Sequence, residues 1–282
     1  MRQTEIQLLV FDSAEQRGLR NFLTRTLRDL VTYRYAIGNF ISSTLRARYR
    51  RSALGFLWTL LNPLFTMAIL SVVFSTIFHN SLKNFSIYIF SGLLPWTLIS
   101  NSMTVGSTSI INGEGYLKKV YVPKFLFPLV TVGVEVANFL LSLVSLFVVA
   151  VLLGARISWG LLALPPALLL TAVFILGWVL VVSILTVYFR DLSHITQIVF
   201  TALFYVTPIV YPIDLIAHST LLKTAISWNP LYYFVELFHR IIYQAQTPDL
   251  SLWVICSGLT VMSLFFGLLV FAWKEHDLIY RL

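Results

Sequence analysis

A chain of 282 residues that is 58% hydrophobic and only 11% charged lies outside the composition of a soluble globular domain and predicts a membrane protein. Its net charge of +8 indicates membrane topology rather than nucleic-acid binding, because cytoplasmic loops of membrane proteins accumulate Lys and Arg. The single cysteine excludes both a disulfide framework and a cysteine metal site within one chain.

Residues 1–53 are too few for a domain with its own core and are predicted to form a cytoplasmic tail with an interfacial helix. Arginines occupy one side of this helix, and the other side carries apolar residues at helical spacing: Leu19, Phe22, Leu23, Leu27, Leu30 and Val31. Two interpretations stay open, a collar that meets a partner and a plain membrane anchor. Arg46, Arg48, Arg50 and Arg51 are expected to hold the following span at the cytoplasmic face.

Six apolar runs predict six transmembrane helices within one domain of residues 54–273, followed by a cytoplasmic tail of residues 274–282. The runs are residues 54–78, 84–112, 125–153, 157–189, 192–213 and 250–273. Six crossings place both termini on one side. That side holds sixteen of the 20 basic residues, so it is predicted to be cytoplasmic. The predicted fold class is an all-α polytopic membrane protein.

The second run turns polar after Trp96, where Ser, Thr, Asn and Gly dominate residues 100–113. Hydroxyls and amides at this depth occur where they pack on other helices or line a wet cavity. Both interpretations stay open: an interface of small residues, or the polar wall of a transport path.

An outer segment between the last two runs contains a further predicted helix. Asn229 is a plausible N-cap and Pro230 fits the first helical position. An apolar stripe follows it, but the helix is too short to span and is expected to be re-entrant or to lie in the outer interface. Pro208 and Pro212 are expected to end the fifth span before it.

Catalytic chemistry finds little support in the sequence. Glu135 is the one clear ionisable residue inside a span, with no partner that the sequence identifies, so it is either a structural hydrogen-bonding group or a site facing a watery path. The histidines are scattered, and neither a zinc-protease motif nor a phosphate-binding loop occurs. We therefore predict that the chain is not an enzyme and has no cofactor of its own. If ATP drives it, another chain binds the nucleotide.

Aromatic and hydroxyl residues favour a carbohydrate as the transported substrate. Trp and Tyr are ordinary at membrane interfaces, which explains most of the aromatic residues. Sugar rings, however, stack their C–H faces on aromatic rings while their hydroxyls hydrogen-bond to Ser, Thr and Asn. The candidates for a translocation path are Trp58, Phe65, Tyr88, Trp96, Ser100, Asn101, Phe204 and Tyr205.

Five stretches in order carry a family resemblance that extends over about residues 19–273. They are RYRRSALGFLWTLLNPLF, IYIFSGLLPWTLIS, YLKKVYVPKFLFPL, VYFRDLSHITQIVFTALFYVTPIVYPIDLI and NPLYYFVELFHRIIYQ. Together they resemble the membrane subunits of ABC-2 type exporters of O-antigen, capsular polysaccharide and teichoic acid.

This resemblance implies a transport subunit that forms a homodimer in the bacterial inner membrane with two copies of a separate ATPase subunit, which binds ATP and Mg. The implied substrate is a lipid-linked polysaccharide, in the first place O-antigen of lipopolysaccharide, with capsule and teichoic acid as alternatives. The implied ATPase-coupling residues are Glu114, Tyr116, Leu117, Lys118, Lys119 and Tyr121. The implied outer gate consists of Trp228, Asn229, Pro230, Tyr232 and Tyr233. A secondary transporter that needs no ATP is a less favoured alternative, because it would require further ionisable residues in the spans.

Overall fold

The structure, a computed structural model, describes residues 19–50, 54–55, 57–78, 82–152, 158–213 and 219–281, and within these ranges it contains helices and no β-strand. The α-helices are α1 Leu19–Thr32, α2 Arg34–Tyr49, α3 Leu57–Phe78, α4 Leu82–Ser107, α5 Ser109–Asn112, α6 Glu114–Leu117, α7 Leu126–Leu152, α8 Leu164–Tyr188, α9 Leu192–Val206, α10 Thr220–Trp228, α11 Pro230–Phe238 and α12 Leu250–Lys274. 3-10 helices at Trp159–Ala163 and Glu275–Tyr280 adjoin α8 and α12, and a π-helical turn at His239–Tyr243 continues α11. The predicted all-α fold class is confirmed.

Four segments of the described chain are long and apolar enough to cross a membrane. They are Leu57–Ile77, Leu126–Val149, Trp159–Tyr188 and Leu250–Lys274, which match the predicted first, third, fourth and sixth spans. Their boundaries follow the sequence closely, because a charge or a proline stands next to each apolar run.

The second predicted span is the central helix of the bundle. α4 has 26 residues, about 39 Å of helix, and contacts α3, α7, α8, α9 and α11. Nearly every residue from 85 to 99 is buried. The polar side chains among residues 85–99 of α4 therefore face neighbouring helices rather than lipid. This explains why α4 can be less apolar than the four helices above and still lie inside the bundle.

The fifth predicted span is shorter than expected. α9 has 15 residues, about 22 Å, against a hydrocarbon core of about 30 Å. Thr207 leaves the helix with an extended backbone, just before Pro208. The proline thus ends this span as predicted, and residues 207–212 continue as irregular chain.

Helices α8 and α12 meet at the closest backbone contact described for the bundle's glycines. A Cβ at Gly267 would lie 2.3 Å from the carbonyl oxygen of Gly177, and a Cβ at Gly177 would lie 2.4 Å from the backbone of Ser263. The Ser263 hydroxyl also donates a 2.7 Å hydrogen bond to the Phe174 carbonyl. Small residues hold these two helices together, as is typical in membranes.

The N-terminal region, which we call the collar, consists of two helices, α1 and α2, rather than one. In α1, Phe22 is buried against Phe271 at a ring distance of 6.1 Å, whereas Leu27 and Val31 are exposed. The predicted apolar stripe is therefore split between the bundle and the surface. Residues 1–18, with Arg17, lie outside the described residues.

The same end of the molecule carries the C-terminal 3-10 helix. The Glu275 carboxylate pairs with Arg25 of α1, and its backbone carbonyl accepts a hydrogen bond from Lys124. Burial lowers the pKa of the Lys124 ammonium. These contacts tie α1, the chain before α7 and the end of α12 into one unit.

Candidate functional site

A polar cavity of about 160 Å³ lies where α2, α3, α4 and α7 meet. Its charged, hydroxyl and amide lining includes Arg48, Thr59, Asn62, Asn101, Glu135 and Asn138. Most of the remaining lining residues are apolar, including Trp58, Pro63 and Phe139. We call this space the polar cavity. It brings together residues from four separate parts of the sequence.

Glu135 has a cationic partner, which corrects the expectation of a lone carboxylate. The Arg48 guanidinium lies 2.9 Å from Glu135 Oε1, and the Asn138 amide donates a 3.1 Å hydrogen bond to Oε2. The carboxylate is 3% exposed. Arg48 projects from the last turn of α2, and its long side chain carries the charge into the bundle. Arg48 is thus a structural partner of a span as well as part of the basic cluster.

Removing Arg48 is expected to destabilise the protein more than neutralising Glu135. Arg48→Ala leaves a buried carboxylate without its cation, which costs about 2 kcal/mol after allowance for the 37% exposure of the arginine. Glu135→Gln keeps an acceptor for Arg48, so it is expected to cost less, and the double variant is expected to recover part of the loss. Thermal unfolding in detergent checks this, with Arg46→Ala on the same helix as control. Equal melting temperatures for Arg48→Ala and Arg46→Ala would contradict it.

The eight path candidates occupy different environments. Phe65, Trp58, Asn101 and Tyr205 are exposed on the isolated subunit, while Ser100 is half-buried. Exposed polar and aromatic residues therefore occur on α3, α4 and α9. These are the helices that present candidate path residues at the subunit surface.

Two further path candidates belong to an aromatic cluster inside the subunit. Trp96 is buried and packs against Phe204 and Phe200, with ring distances of 5.8 and 6.0 Å. Phe204 in turn makes an edge contact with Tyr205 at 5.3 Å. Trp96 supports the position of α9 rather than reaching the surface itself.

The segment at residues 114–121 presents aromatic and basic residues at the end of the bundle predicted to be cytoplasmic. Tyr121 is 73% exposed, and Lys119 and Val120 are exposed beside it. Lys118 pairs with Glu114 one turn away, which lowers the pKa of that carboxyl, and Leu117 is partly buried against the neighbouring apolar cluster. We call residues 114–121 the cytoplasmic segment. Its exposed side chains form a surface that no described part of the chain covers.

Tyr116 links the cytoplasmic segment to the collar. Its ring makes an edge contact with Phe40 of α2 at 5.3 Å and lies 6.4 Å from Phe127 of α7. A second cavity of about 420 Å³ lies beside these rings and extends to Arg48 and Glu135. The cytoplasmic segment therefore contacts the collar, and the second cavity extends from this contact to the Arg48–Glu135 pair that also lines the polar cavity.

The outer segment is packed into the bundle. Asn229 caps α11, because its side-chain oxygen accepts a 3.0 Å hydrogen bond from the Leu231 amide, and Pro230 occupies the first turn as predicted. The Asn229 amide also donates to Thr207 at 2.8 Å. The stripe that begins at Leu231 is buried against α4, α8 and α12.

The outer-gate candidates include both packed and exposed residues. Tyr233 donates from its hydroxyl to the Ser227 carbonyl at 2.9 Å and its ring lies 5.3 Å from Tyr232. Trp228 is almost fully exposed at the end of α10. The tyrosines therefore fix the turn between α10 and α11, whereas Trp228 is available for contact.

His239 is a buried contact of the outer segment that the sequence did not single out. Its ring stacks on Tyr88 at 4.4 Å with an interplanar angle of 8°, and Nδ1 lies 2.8 Å from Ser91 Oγ. Gly92 makes room for the imidazole, since a Cβ there would lie 2.7 Å from the ring. Tyr88 also donates to the Tyr211 carbonyl at 2.8 Å. The π-helical turn that begins at His239 gave no sequence signal beyond the histidine itself.

Within the described ranges, no three His, Cys, Asp or Glu side chains lie close enough together to hold a metal ion. The fold and its surfaces define a polytopic, all-α membrane protein.

The chain matches the family model described as ABC-2 type transporter over residues 35–243, most of its length, and it belongs to that family. It is 30% identical over 255 residues to the O-antigen export system permease protein RfbA of Myxococcus xanthus, covering 90% of this chain and 98% of the relative. It is 30% identical over 191 residues to the protein of the same description in Klebsiella pneumoniae, covering 66% and 72%. The polysialic acid transport protein KpsM of Escherichia coli is 22% identical over 247 residues, covering 83% and 92%.

Proposed function

We propose that the chain is the membrane-spanning permease subunit of an ATP-driven exporter that moves a lipid-linked polysaccharide across the bacterial inner membrane. The proposed substrate is the O-antigen of lipopolysaccharide. The strongest support for this proposal is the similarity to the Myxococcus relative described as an O-antigen export permease. The similarity extends over nearly the whole of both chains.

The proposed assembly contains two copies of this chain and two copies of an ATPase subunit, with ATP and Mg bound by the ATPase. The exposed aromatic and basic side chains of the cytoplasmic segment support a docking role for it. The exposed apolar faces of α3 and α9 support contact with lipid or with a second copy. Both termini are proposed to be cytoplasmic, as the distribution of Lys and Arg favours.

The contacts of the cytoplasmic segment suggest how movement of the ATPase would reach the bundle. A shift of Tyr116 acts on Phe40 of the collar, and the collar is joined to α7 through Arg48 and Glu135. Rigid-body displacement of these helices would open a path along exposed residues of α3, α4 and α9. Because a polymer of many sugars cannot be enclosed like a small solute, we expect a continuous path that stays open during export.

Capsular polysaccharide is the second candidate substrate, supported by the relative described as a polysialic acid transport protein. Teichoic acid export by the same mechanism rests on the sequence resemblance alone. Secondary transport without ATP has little support, because Glu135 is held in an ion pair with Arg48 rather than facing a path alone.

Deleting the gene and purifying the complex test the proposal together. We expect the deletion strain to lose long-chain polysaccharide from its surface and to regain it when the gene is restored. Affinity purification of the tagged chain from membranes is expected to recover an ATPase subunit in equal amount. Normal surface polysaccharide in the deletion strain, or repeated purification without an ATPase, would overturn the proposal.

A further inference from the structure

The connection between α8 and α9 is short and exposed. It consists of Phe189, Arg190 and Asp191, and we call it the α8–α9 loop. Phe189 is 70% exposed, and Arg190 and Asp191 are exposed beside it. Within the described part of the chain, Arg190 makes no ion pair. The function proposed above uses none of these three side chains.

Hydrogen bonds fix the backbone of the α8–α9 loop. The Phe189 amide donates to the Leu185 carbonyl of α8 at 2.8 Å, and the Phe189 carbonyl accepts from the Leu192 amide at 3.0 Å. The Ser193 hydroxyl donates to the Arg190 carbonyl at 3.0 Å. A loop that is already ordered loses little conformational entropy when it binds a partner. The exposed ring and guanidinium are therefore presented from a fixed backbone.

The length of the preceding span places the α8–α9 loop outside the hydrocarbon core. Trp159–Tyr188 is a span of 30 residues, at least about 45 Å long, whereas the hydrocarbon core is about 30 Å thick. Trp159 is highly exposed at the other end of this span, and Trp is ordinary at a membrane interface. The Phe189 ring therefore lies at the level of the headgroups or beyond them rather than in hydrocarbon.

The α8–α9 loop lies beside the cytoplasmic segment. Tyr188, the last residue of α8, and Leu117 of the cytoplasmic segment pack against the same apolar cluster. The pKa of the Glu114 carboxyl is lowered mainly by Lys118 and, to a smaller extent, by the positive charge of Arg190. The loop and the cytoplasmic segment therefore present exposed side chains on neighbouring parts of one end of the bundle.

The charges of the α8–α9 loop favour a protein surface over an anionic lipid surface. Anionic headgroups attract basic residues, but they would repel Asp191 next to Arg190. A protein can supply an apolar pocket for the ring and a carboxylate for the guanidinium, and both Phe and Arg are enriched in protein interfaces. Since the neighbouring cytoplasmic segment is proposed to dock the ATPase subunit, that subunit is the partner that can reach both surfaces.

We propose that the α8–α9 loop is a second docking element for the ATPase subunit. The Phe189 ring enters an apolar pocket of the partner, and the Arg190 guanidinium pairs with a carboxylate at the rim of that pocket. This inference rests on the proposed function, because it needs an ATPase partner. It means that movement of the ATPase acts directly on the short span α9 as well as on the cytoplasmic segment.

Site-specific photocrosslinking in living cells tests this docking element. The full chain, expressed with its native partners, carries p-benzoylphenylalanine in place of Phe189. A control chain carries it in place of Trp159, which is also highly exposed but lies at the opposite end of α8. After irradiation the tagged chain is purified under denaturing conditions, and mass spectrometry identifies its adducts. Position 189 is expected to give an adduct with the ATPase subunit, and position 159 is expected to give none.

Substitutions separate docking from folding. Phe189→Ala is expected to lower the recovery of the ATPase subunit with the tagged chain at least about tenfold, the effect of losing one central interface residue. Phe265→Ala is the matched control, because Phe265 is an exposed ring within the apolar span α12, and it is expected to leave recovery unchanged. Arg190→Glu is expected to lower recovery more than Arg190→Lys, which keeps the positive charge. Because all three side chains are exposed, these variants are expected to keep the melting temperature of the unmodified chain.

The outcomes separate this inference from the proposed function. If the unmodified chain recovers the ATPase subunit but position 189 forms no adduct, or forms adducts only with lipid or with a second copy of the chain, the docking element is wrong and the proposed function stands. Equal recovery with Phe189→Ala and Phe265→Ala would also overturn the docking element. If the unmodified chain recovers no ATPase subunit, the proposed function itself fails.

Discussion

Gly267→Ala is expected to lower the stability of the detergent-solubilised protein by about 3 kcal/mol and to reduce its amount in membranes. The added Cβ would lie 2.3 Å from the backbone oxygen of Gly177, an atom that cannot rotate away. Relief requires α8 and α12 to separate, which weakens the hydrogen bond from Ser263 to Phe174. Because helices in a membrane associate through packing rather than through the hydrophobic effect, the lost contact has no ready substitute.

The matched control for this prediction lies on the same helix. A Cβ at Gly258 would have no neighbouring atom within 4 Å. Since alanine favours a helix over glycine by about 1 kcal/mol, Gly258→Ala is expected to leave stability unchanged or slightly higher. Thermal unfolding and membrane abundance of the two variants are measured under the same conditions. Equal melting temperatures would mean that the α8–α12 contact does not limit stability.

The helices could be predicted because their signals are local. Apolar runs flanked by charges fixed the positions of α3, α7, α8 and α12 to within a few residues, apart from the 3-10 turn before α8. Proline and asparagine chemistry located the end of α9 and the cap at Asn229. Helix α10 was not predicted, although Ser219 and Thr220 at its start are residue types that favour helix N-termini.

The site contacts could not be predicted, because they join residues that are distant in sequence. Arg48 and Glu135 are 87 positions apart, and Ser91 and His239 are 148 apart. In a single sequence nothing pairs one arginine of a basic cluster with one carboxylate of a later span. The depth that an arginine reaches depends on its side-chain direction, which hydropathy does not report.

Packing also decided which aromatic residues are available to a substrate. Trp96 and Tyr205 looked equivalent as path candidates, but Trp96 is buried and Tyr205 is exposed. Tyr88 proved to be a contact of the outer segment through His239. Composition identified an aromatic-rich protein, whereas the division between core and surface required the tertiary structure.

Lys119→Glu and Tyr121→Ala in the cytoplasmic segment are expected to lower ATP-driven export at least about tenfold while leaving membrane insertion intact. Both side chains are exposed, so their replacement leaves the described packing in place. Truncating a hot-spot residue of an interface, which is often aromatic or an arginine, costs about 2 kcal/mol or more, and this corresponds to about thirtyfold in affinity. Export is measured as surface polysaccharide, and docking is measured as ATPase subunit recovered with the tagged chain.

Two comparisons make this last prediction specific to docking. Lys118→Glu would place a second carboxylate one turn away from Glu114, and repulsion between the two would unwind this turn locally. Lys119→Glu is therefore the cleaner test of docking. Trp159→Ala removes a still more exposed aromatic ring at the other end of the bundle and is expected to leave ATPase recovery unchanged. If Trp159→Ala and Tyr121→Ala reduce recovery alike, the cytoplasmic segment is not the docking surface. If only Tyr121→Ala does so, the same result fixes this end of the bundle as the cytoplasmic one.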